Sequence, residues 1–460
     1  MKSYYQKLVG RHFCLGITGL SQSGKTTFIT SLLNQLTNHD RAALQGFSPV
    51  FHDKLIGVKI GPLSDEGVAT FDYDSCYKSI ACENPEWPNS TSEESGCVIE
   101  LKLRKKKSIL NPFSAETSTR YIEVRDYPGE WLLDLPLLDM DYLRWCSQCS
   151  AQYSKNPRAA LLGALLDELQ DIDPLAEANL ERLDRLSERF KAFLAECKSG
   201  KNGLSLIQPG RFLIPGDVEG EEILSFVPLL KCGSYTDGQL RKARKDSYFY
   251  VCSQRYKRYV KELVKPFYRK YCLNVDRQIV LVDVINALNG GSEYVDDMRQ
   301  ALTNIADSFS YGTAKGPLRV FQHKIEKVVF AASKVDQVVS EDHDAVRQLL
   351  TVIVREAYKD MQYEGVEPFI EAIAAVRSSS EIRGRSEPGI MGYEADGEAI
   401  AYVHPKMPSK IPSGQEWRPF TEWEIPKLAP PRGLSAENND VIPHIRLDTV
   451  INALIGDVCK

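Results

Sequence analysis

Eight residues, Gly19-Leu20-Ser21-Gln22-Ser23-Gly24-Lys25-Thr26, restrict what this chain can fold into more than any other stretch. They fit the spacing Gly-x-x-x-x-Gly-Lys-Ser/Thr in full. Before them runs Phe13-Cys14-Leu15-Gly16-Ile17-Thr18, a short apolar segment that reads as a buried parallel strand. After them Phe28, Ile29, Leu32, Leu33 and Leu36 recur at helical spacing. Strand, glycine-bearing turn and helix in that order make a cradle for phosphate. Gly19 and Gly24 let the backbone curl, so that successive N–H groups from Ser21, Gln22 and Ser23 through Thr27 point inward. The positive end of the helix adds to the field. Lys25 reaches the β- and γ-phosphates and stabilises charge during phosphoryl transfer, and the Thr26 hydroxyl offers a magnesium ligand.

A second loop follows the extended segment Arg120–Arg125. It reads Asp126-Tyr127-Pro128-Gly129-Glu130 and resembles the D-x-x-G signature of GTPase-class P-loop proteins. On that pattern Asp126 holds magnesium, usually through water, and the Gly129 N–H senses the γ-phosphate. Glu130 stands where the small regulatory GTPases carry a glutamine that orients the attacking water. Two readings stay open for it: a direct catalytic carboxylate, or a switch residue that pairs with a base or faces solvent. Glu123 and Arg125 interrupt what should be a nearly continuous apolar strand. Either that strand lies near an edge or the two charges meet partners.

A third loop supplies base recognition. Ser333-Lys334-Val335-Asp336 follows the apolar strand at 325–332 and resembles the guanine-reading pattern [NT]-K-x-D, with serine at the first place. Guanine presents N1–H and N2–H side by side, and the Asp336 carboxylate can accept both. Adenine has no such donor pair. The Lys334 stem covers the base plane. Ala375, after the next candidate strand, occupies the place where backbone meets the guanine O6. The threonine that closes over magnesium is assigned to Thr91, with Thr70 as the alternative.

The elements between these loops set the architecture. Residues 278–284, 325–332 and 370–375 read as parallel strands with helices between them, an α/β arrangement. Residues 131–272 read as mostly helical. The expected fold is therefore an α/β, P-loop NTPase three-layer sandwich over 10–130 and 273–380. A large helical insertion at 131–272 interrupts it, and a small C-terminal subdomain at 381–460 packs on the core. Arg269 and Arg277, where the chain re-enters the nucleotide domain, are candidate cis-acting fingers, with a structural ion pair as the other reading of Arg277.

Residues 231–271 hold twelve Lys/Arg against three Asp/Glu, interleaved with aromatics such as Tyr256, Tyr259 and Phe267. Such a stretch suits an anionic lipid surface, an acidic partner or nucleic acid, or else a solvated helix with its aromatics packed inward. The whole chain carries 57 Lys+Arg against 62 Asp+Glu, a formal net charge of -5, which argues against a general nucleic-acid coat. Eleven cysteines at irregular spacing suit reduced thiols better than a disulfide framework. No apolar run approaches the length of a membrane span, and the first residues lack the pattern of a secretory signal.

The loops named above, with Trp87-Pro88, the string from Asp126 to Pro136, Lys265-Pro266-Phe267 and the segment 276–283, are similar to the YcjX-like P-loop GTPases. The resemblance implies a bacterial cytoplasmic protein that binds GTP and GDP with Mg2+ and carries a large helical insertion. It also implies a link to stress response and genomic association with a small inner-membrane protein, which is a candidate partner beside a candidate protein effector. The expected activity is slow hydrolysis of GTP to GDP and phosphate. The alternatives are a GTP-dependent scaffold or inner-membrane-surface tether with negligible hydrolysis, and a small-molecule kinase.

Overall fold

In a computed structural model, residues 12–20, 22–63, 68–89, 93–105, 116–199, 203–308, 325–363, 365–382 and 388–459 are described. Two compact units emerge. The described residues of 1–128, 274–291 and 313–460 form one, and those of 129–273 and 292–312 form the other.

The first unit is built on an eight-stranded sheet. Its strands are β1 (His12–Gly19), β2 (Leu55–Gly61), β3 (Ala69–Thr70), β4 (Ser95–Arg104), β5 (Thr117–Asp126), β6 (Arg277–Val282), β7 (Lys327–Ala332) and β8 (Glu367–Ala372). They lie in the order β2-β4-β5-β1-β6-β7-β8, with β3 beside β4. From β5 to β8 all neighbours are parallel, whereas β4 runs antiparallel to β5 and β2. This is the mostly parallel α/β sheet of a P-loop GTPase-like fold. β6 is buried along its whole length, as the apolar run from Ile279 to Val282 requires.

The Lys25–Thr37 helix covers one face. Phe28, Ile29, Leu32 and Leu33 are buried there against Ile17, Leu281 and Val329. Each such side chain contributes about 1.5–3 kcal/mol relative to exposure. The C-terminal helix Leu447–Ile455 buries Leu447, Val450 and Ile451 in the same cluster. A small antiparallel sheet of β9 (Ser380–Ile382), β10 (Gly389–Tyr393) and β11 (Ala399–Tyr402) precedes it.

The charges inside β5 meet each other. Arg125 Nε donates to Glu123, and Glu123 lies 3.5 Å from His12 Nε2 on the neighbouring strand. The pairing explains how an interior strand tolerates them.

The second unit is helical. Its longest helix, Leu180–Ser199, turns Leu183, Leu186, Phe190 and Phe193 inward. Residues 129–139 form a 3-10 segment whose Trp131 to Leu137 are all buried. One boundary differs from the sequence reading, which ran the nucleotide domain on from 273. The Ser292–Ser308 helix instead joins the second unit. Its Asp297 receives the Arg158 guanidinium at 2.6 Å and the N–H groups of Ser205 and Leu206 at 2.6 and 2.9 Å. These described partners of the buried charge all lie in the helical unit. No helix of the described residues is long and apolar enough to cross a membrane.

Asp134 sits at the centre of the 3-10 segment. It accepts from the Gly210 N–H at 2.8 Å, the Arg211 N–H at 3.4 Å and the Tyr259 hydroxyl. Burial pushes its carboxyl up to about 6, although the Tyr259, Gly210 and Arg211 bonds pull the other way. The folded chain therefore holds a proton that the unfolded chain releases near pH 4. The associated stability is complete below about pH 4 and fades as pH rises through about 6. Asp134→Asn removes this slope. Relative to the variant, the parent loses up to about 3 kcal/mol of stability between pH 4 and 7. Thermal melts of both proteins at the two pH values check it, and parallel pH profiles would refute it.

Candidate nucleotide site

Because β5, β1, β6, β7 and β8 run parallel and side by side, the loops after them leave the same edge of the sheet. In open α/β sheets, ligands are taken up at that carboxyl edge. The Gly19–Thr26 loop, Asp126, Ser333–Asp336 and Ala375 all lie there.

The first loop is curled as a phosphate cradle requires. Gln22 at φ 60 and Gly24 at φ 82 are both left-handed. A Cβ at residue 19 would stand 2.0 Å from Ser23 Oγ, so only glycine fits where the loop closes on itself. Ser23 N–H donates to the Leu20 carbonyl at 3.1 Å and completes the turn. Gly24 is the N-cap and has no side chain with which to cap the helix, whose ladder begins with the Phe28 N–H on the Gly24 carbonyl. The N–H groups of Lys25, Thr26 and Thr27 precede that first rung, where the helix supplies no carbonyl for them. Ser21 lies outside the described residues.

The second loop meets the first. Lys25 Nζ lies 2.7 Å from Asp126 Oδ1 and also donates to the Tyr127 carbonyl. Asp126 is only 1% exposed. A cation and a carboxylate are thus held together beside the cradle. Register fixes the rest of this edge: Ile17 pairs with Asp126, and Asp126 with Ser95. Ala69 in turn pairs with Ser95 and Thr70 with Gly96, which puts Thr70 two strand spacings, roughly 10 Å, from β5. Thr91 lies outside the described residues.

Gly129 and Glu130 begin the second unit. There the Glu130 carboxylate pairs with Lys198 Nζ at 2.6 Å. This is the second of the two readings that the sequence left open for it.

The third loop is locked by residues from the loops beside it. Lys334 is left-handed at φ 60, and its Nζ lies 2.7 Å from Asp283 Oδ2 at the end of β6. Asp336 is 4% exposed. Its Oδ2 accepts from the Ser378 N–H at 2.8 Å and the Ser378 hydroxyl at 2.7 Å, while the Ser379 hydroxyl donates to the Asp336 carbonyl. Burial raises the carboxyl pKa, opposed chiefly by the two Ser378 bonds. Sequence reasoning missed Ser378. The only signal was the hydroxyl run Ser378-Ser379-Ser380 after the last parallel strand. Ala375 is tied to the cradle's helix, its carbonyl accepting from Ser31 Oγ at 2.5 Å. Ala374 also exchanges backbone bonds with Ile445, so the tail braces this loop.

Arg277 takes the structural ion-pair position that the sequence reading gave as its second alternative. It starts β6, paired with Leu15 and Lys327, several residues before the carboxyl edge. Its guanidinium lies 2.5 Å from Asp457 and from the Leu454 carbonyl, and 3.2 Å from Glu326. Burial alone would raise the Asp457 pKa, yet bonds from Arg277 and Lys327 hold it down at about 2. Arg277 fastens the C-terminal helix at the opposite end of the strand from the cradle.

Asp126 and Thr26 are hard oxygen donors of the kind magnesium takes. Among the described residues no group of three His, Cys, Asp or Glu converges as a metal cluster. Magnesium does not need one, since one or two side chains with phosphate and water complete its shell.

Comparison with known proteins agrees with this geometry. A family model described as "YcjX-like family, DUF463" matches residues 13–459. The chain is 35% identical over 455 residues to "Ras-like GTPase YcjX" of Escherichia coli (strain K12), covering 98% of this chain and 96% of that protein. It is 33% identical over 470 residues to the protein of the same name from Shewanella oneidensis, covering 99% and 96%.

Proposed function

This chain belongs to the YcjX-like family, and from that premise we propose that it is a magnesium-dependent guanine-nucleotide switch that slowly hydrolyses GTP to GDP and phosphate. One observation carries the reading. A buried carboxylate, Asp336, is aimed by Ser378 at the same sheet edge as a glycine-curled loop bearing Lys25.

In the proposed reaction, water attacks the γ-phosphate in line and GDP leaves. The N–H groups of residues 22–27 and the Lys25 ammonium stabilise the spreading phosphate charge. With nucleotide present, Lys25 exchanges Asp126 for phosphate oxygens. Thr26 and Asp126 would hold magnesium, which when bound neutralises phosphate charge. Asp336 accepts the guanine N1–H and N2–H, and the Lys334 stem flanks the base.

The Glu130–Lys198 pair favours slow unaided turnover, because the carboxylate that could orient water is already engaged. It equally suits a nucleotide-dependent scaffold. Calorimetry of nucleotide-free protein with GDP, GTP, ADP and ATP in magnesium tests the pocket and the base choice together. The expected result is tight binding of both guanine nucleotides and at least about a hundred-fold weaker binding of the adenine pair. Equal affinity for ADP and GDP would sink the assignment. A single-turnover assay on the same protein separates the slow enzyme from the scaffold.

A further inference from the structure

From Arg255 to Lys270 the sequence repeats every four residues: Arg-Tyr-Lys-Arg, Tyr-Val-Lys-Glu, Leu-Val-Lys-Pro, Phe-Tyr-Arg-Lys. The first two places of each repeat are turned inward. Tyr256, Tyr259, Leu263, Val264, Phe267 and Tyr268 are buried. The third and fourth places are exposed without exception. The third place is always a base: Lys257, Lys261, Lys265 and Arg269.

A regular α-helix does not support that pattern. With about 3.6 residues per turn, each fourth residue swings about 40° further round, and three steps carry the row about 120° off its face. This element avoids the drift by changing its winding. The Tyr248–Tyr259 α-helix passes into a π turn at Val260–Val264, a short α stretch at Lys265–Phe267, and a second π turn at Tyr268–Cys272. The wider π turns take back the excess rotation. The four bases therefore stay on one line about 18 Å long.

Their neighbours leave the line uncovered. Arg258 is paired with Glu262 at 3.3 Å and Glu222 at 3.9 Å. Lys257, Lys261, Lys265 and Arg269 have no ion-pair partner among the described residues. The acid-rich segment 167–181 reaches the start of this element instead, where Glu177 bridges to Ser247.

We propose that the Lys257–Lys261–Lys265–Arg269 line is a docking edge for an anionic lipid surface. The choice among polyanions follows from what stands beside the bases. Single-stranded nucleic acid needs exposed aromatic platforms, and the aromatics of these repeats are buried. A tight acidic-protein interface needs an apolar anchor in its centre, and the line offers none. A flat bilayer asks only for several long cationic side chains reaching the headgroups together, each adding to an attraction that fades with salt. This inference does not depend on the nucleotide reading.

The test is co-sedimentation of the full chain with phosphatidylcholine vesicles, with and without a third of phosphatidylglycerol. Two variants carry the same charge loss: K257Q/K261Q/K265Q/R269Q removes the line, and K78Q/K406Q/K410Q/K427Q removes exposed lysines elsewhere. A third, K261E/E262K, keeps composition and breaks the line. The parent and the elsewhere variant are expected to bind the anionic vesicles and release them at raised salt. The line variant is expected to bind roughly a hundred-fold more weakly or less, and the swapped variant several-fold more weakly. Retained helical circular dichroism shows that the variants fold. The proposal fails if the parent ignores anionic vesicles at low salt, or if both quadruple variants lose binding equally. It also fails if the swapped variant binds as the parent does, or if a single-stranded oligonucleotide displaces the parent from vesicles at stoichiometric amounts.

Discussion

Lys25→Ala protein takes up GDP and GTP far more weakly than the parent, by a factor between about thirty and a few thousand. The range follows from the 2–5 kcal/mol typical of truncating one member of a desolvated charge pair. Lys25 is a cation that the cradle and the second loop share, 2.7 Å from Asp126 and bonded to the Tyr127 carbonyl. Removing it withdraws a charge-assisted bond from the phosphates and leaves the Asp126 carboxylate without this neutralising charge, which then repels nucleotide. Lys25→Met separates the two effects of charge and volume, since it keeps most of the stem and should fail almost as badly. Titration calorimetry or a fluorescent guanine nucleotide reads the loss. Uptake equal to the parent's would remove the phosphate cradle as the basis of function.

The sequence exposed those parts of the fold whose signal is local. The apolar runs of β1, β6 and β7 and the helical spacing from Phe28 to Leu36 follow from burial on one or both faces, and short windows carry that pattern. The glycine-curled loop was legible for the same reason. Gly19 has its conflict with Ser23, four residues away.

What escaped was non-local. Ser378 matters because β7 and β8 are neighbours in the sheet, which brings it to Asp336 across 42 residues. Nothing within the Val376–Ser380 string announces that. The choice between the two readings of Arg277 was not legible, because entry into the nucleotide domain does not fix which end of the strand the residue occupies. A strand begins at the far end of a parallel sheet from its carboxyl edge, and Arg277 finds its partner in Asp457, 180 residues on. The Ser292–Ser308 helix went to the wrong unit because its polar key, Asp297, closes on Arg158 and residues 205–206, all distant in the chain. The period of four in residues 255–270 was missed for a different reason. Apolar spacings of three and four suggest an ordinary α-helix, in which a row of every fourth residue drifts off its face, and only the π turns show that this row stays together.

Base choice gives the second large effect. In the parent, Asp336 Oδ2 is fixed by the Ser378 N–H and hydroxyl, which leaves the other carboxylate oxygen to the ligand. In Asp336→Asn the amide must orient itself. The Ser378 N–H can only donate, so the amide oxygen stays on Ser378 and the NH2 group turns to the base. Guanine then presents donors to a donor, and both its N1–H and N2–H lose their acceptor. Xanthine carries a carbonyl at the second position and accepts from the NH2 group. The variant is therefore expected to lose guanine affinity by about two to four orders of magnitude and to prefer xanthosine diphosphate over GDP, since a mismatched buried donor is rejected on that scale. Competition between GDP and xanthosine diphosphate for one labelled nucleotide measures the reversal. Ser378→Ala is expected to weaken GDP binding without creating a xanthine preference, because it loosens the carboxylate and leaves its chemistry intact. If Asp336→Asn held GDP as tightly as the parent, base recognition would have to lie outside the Ser333–Asp336 loop.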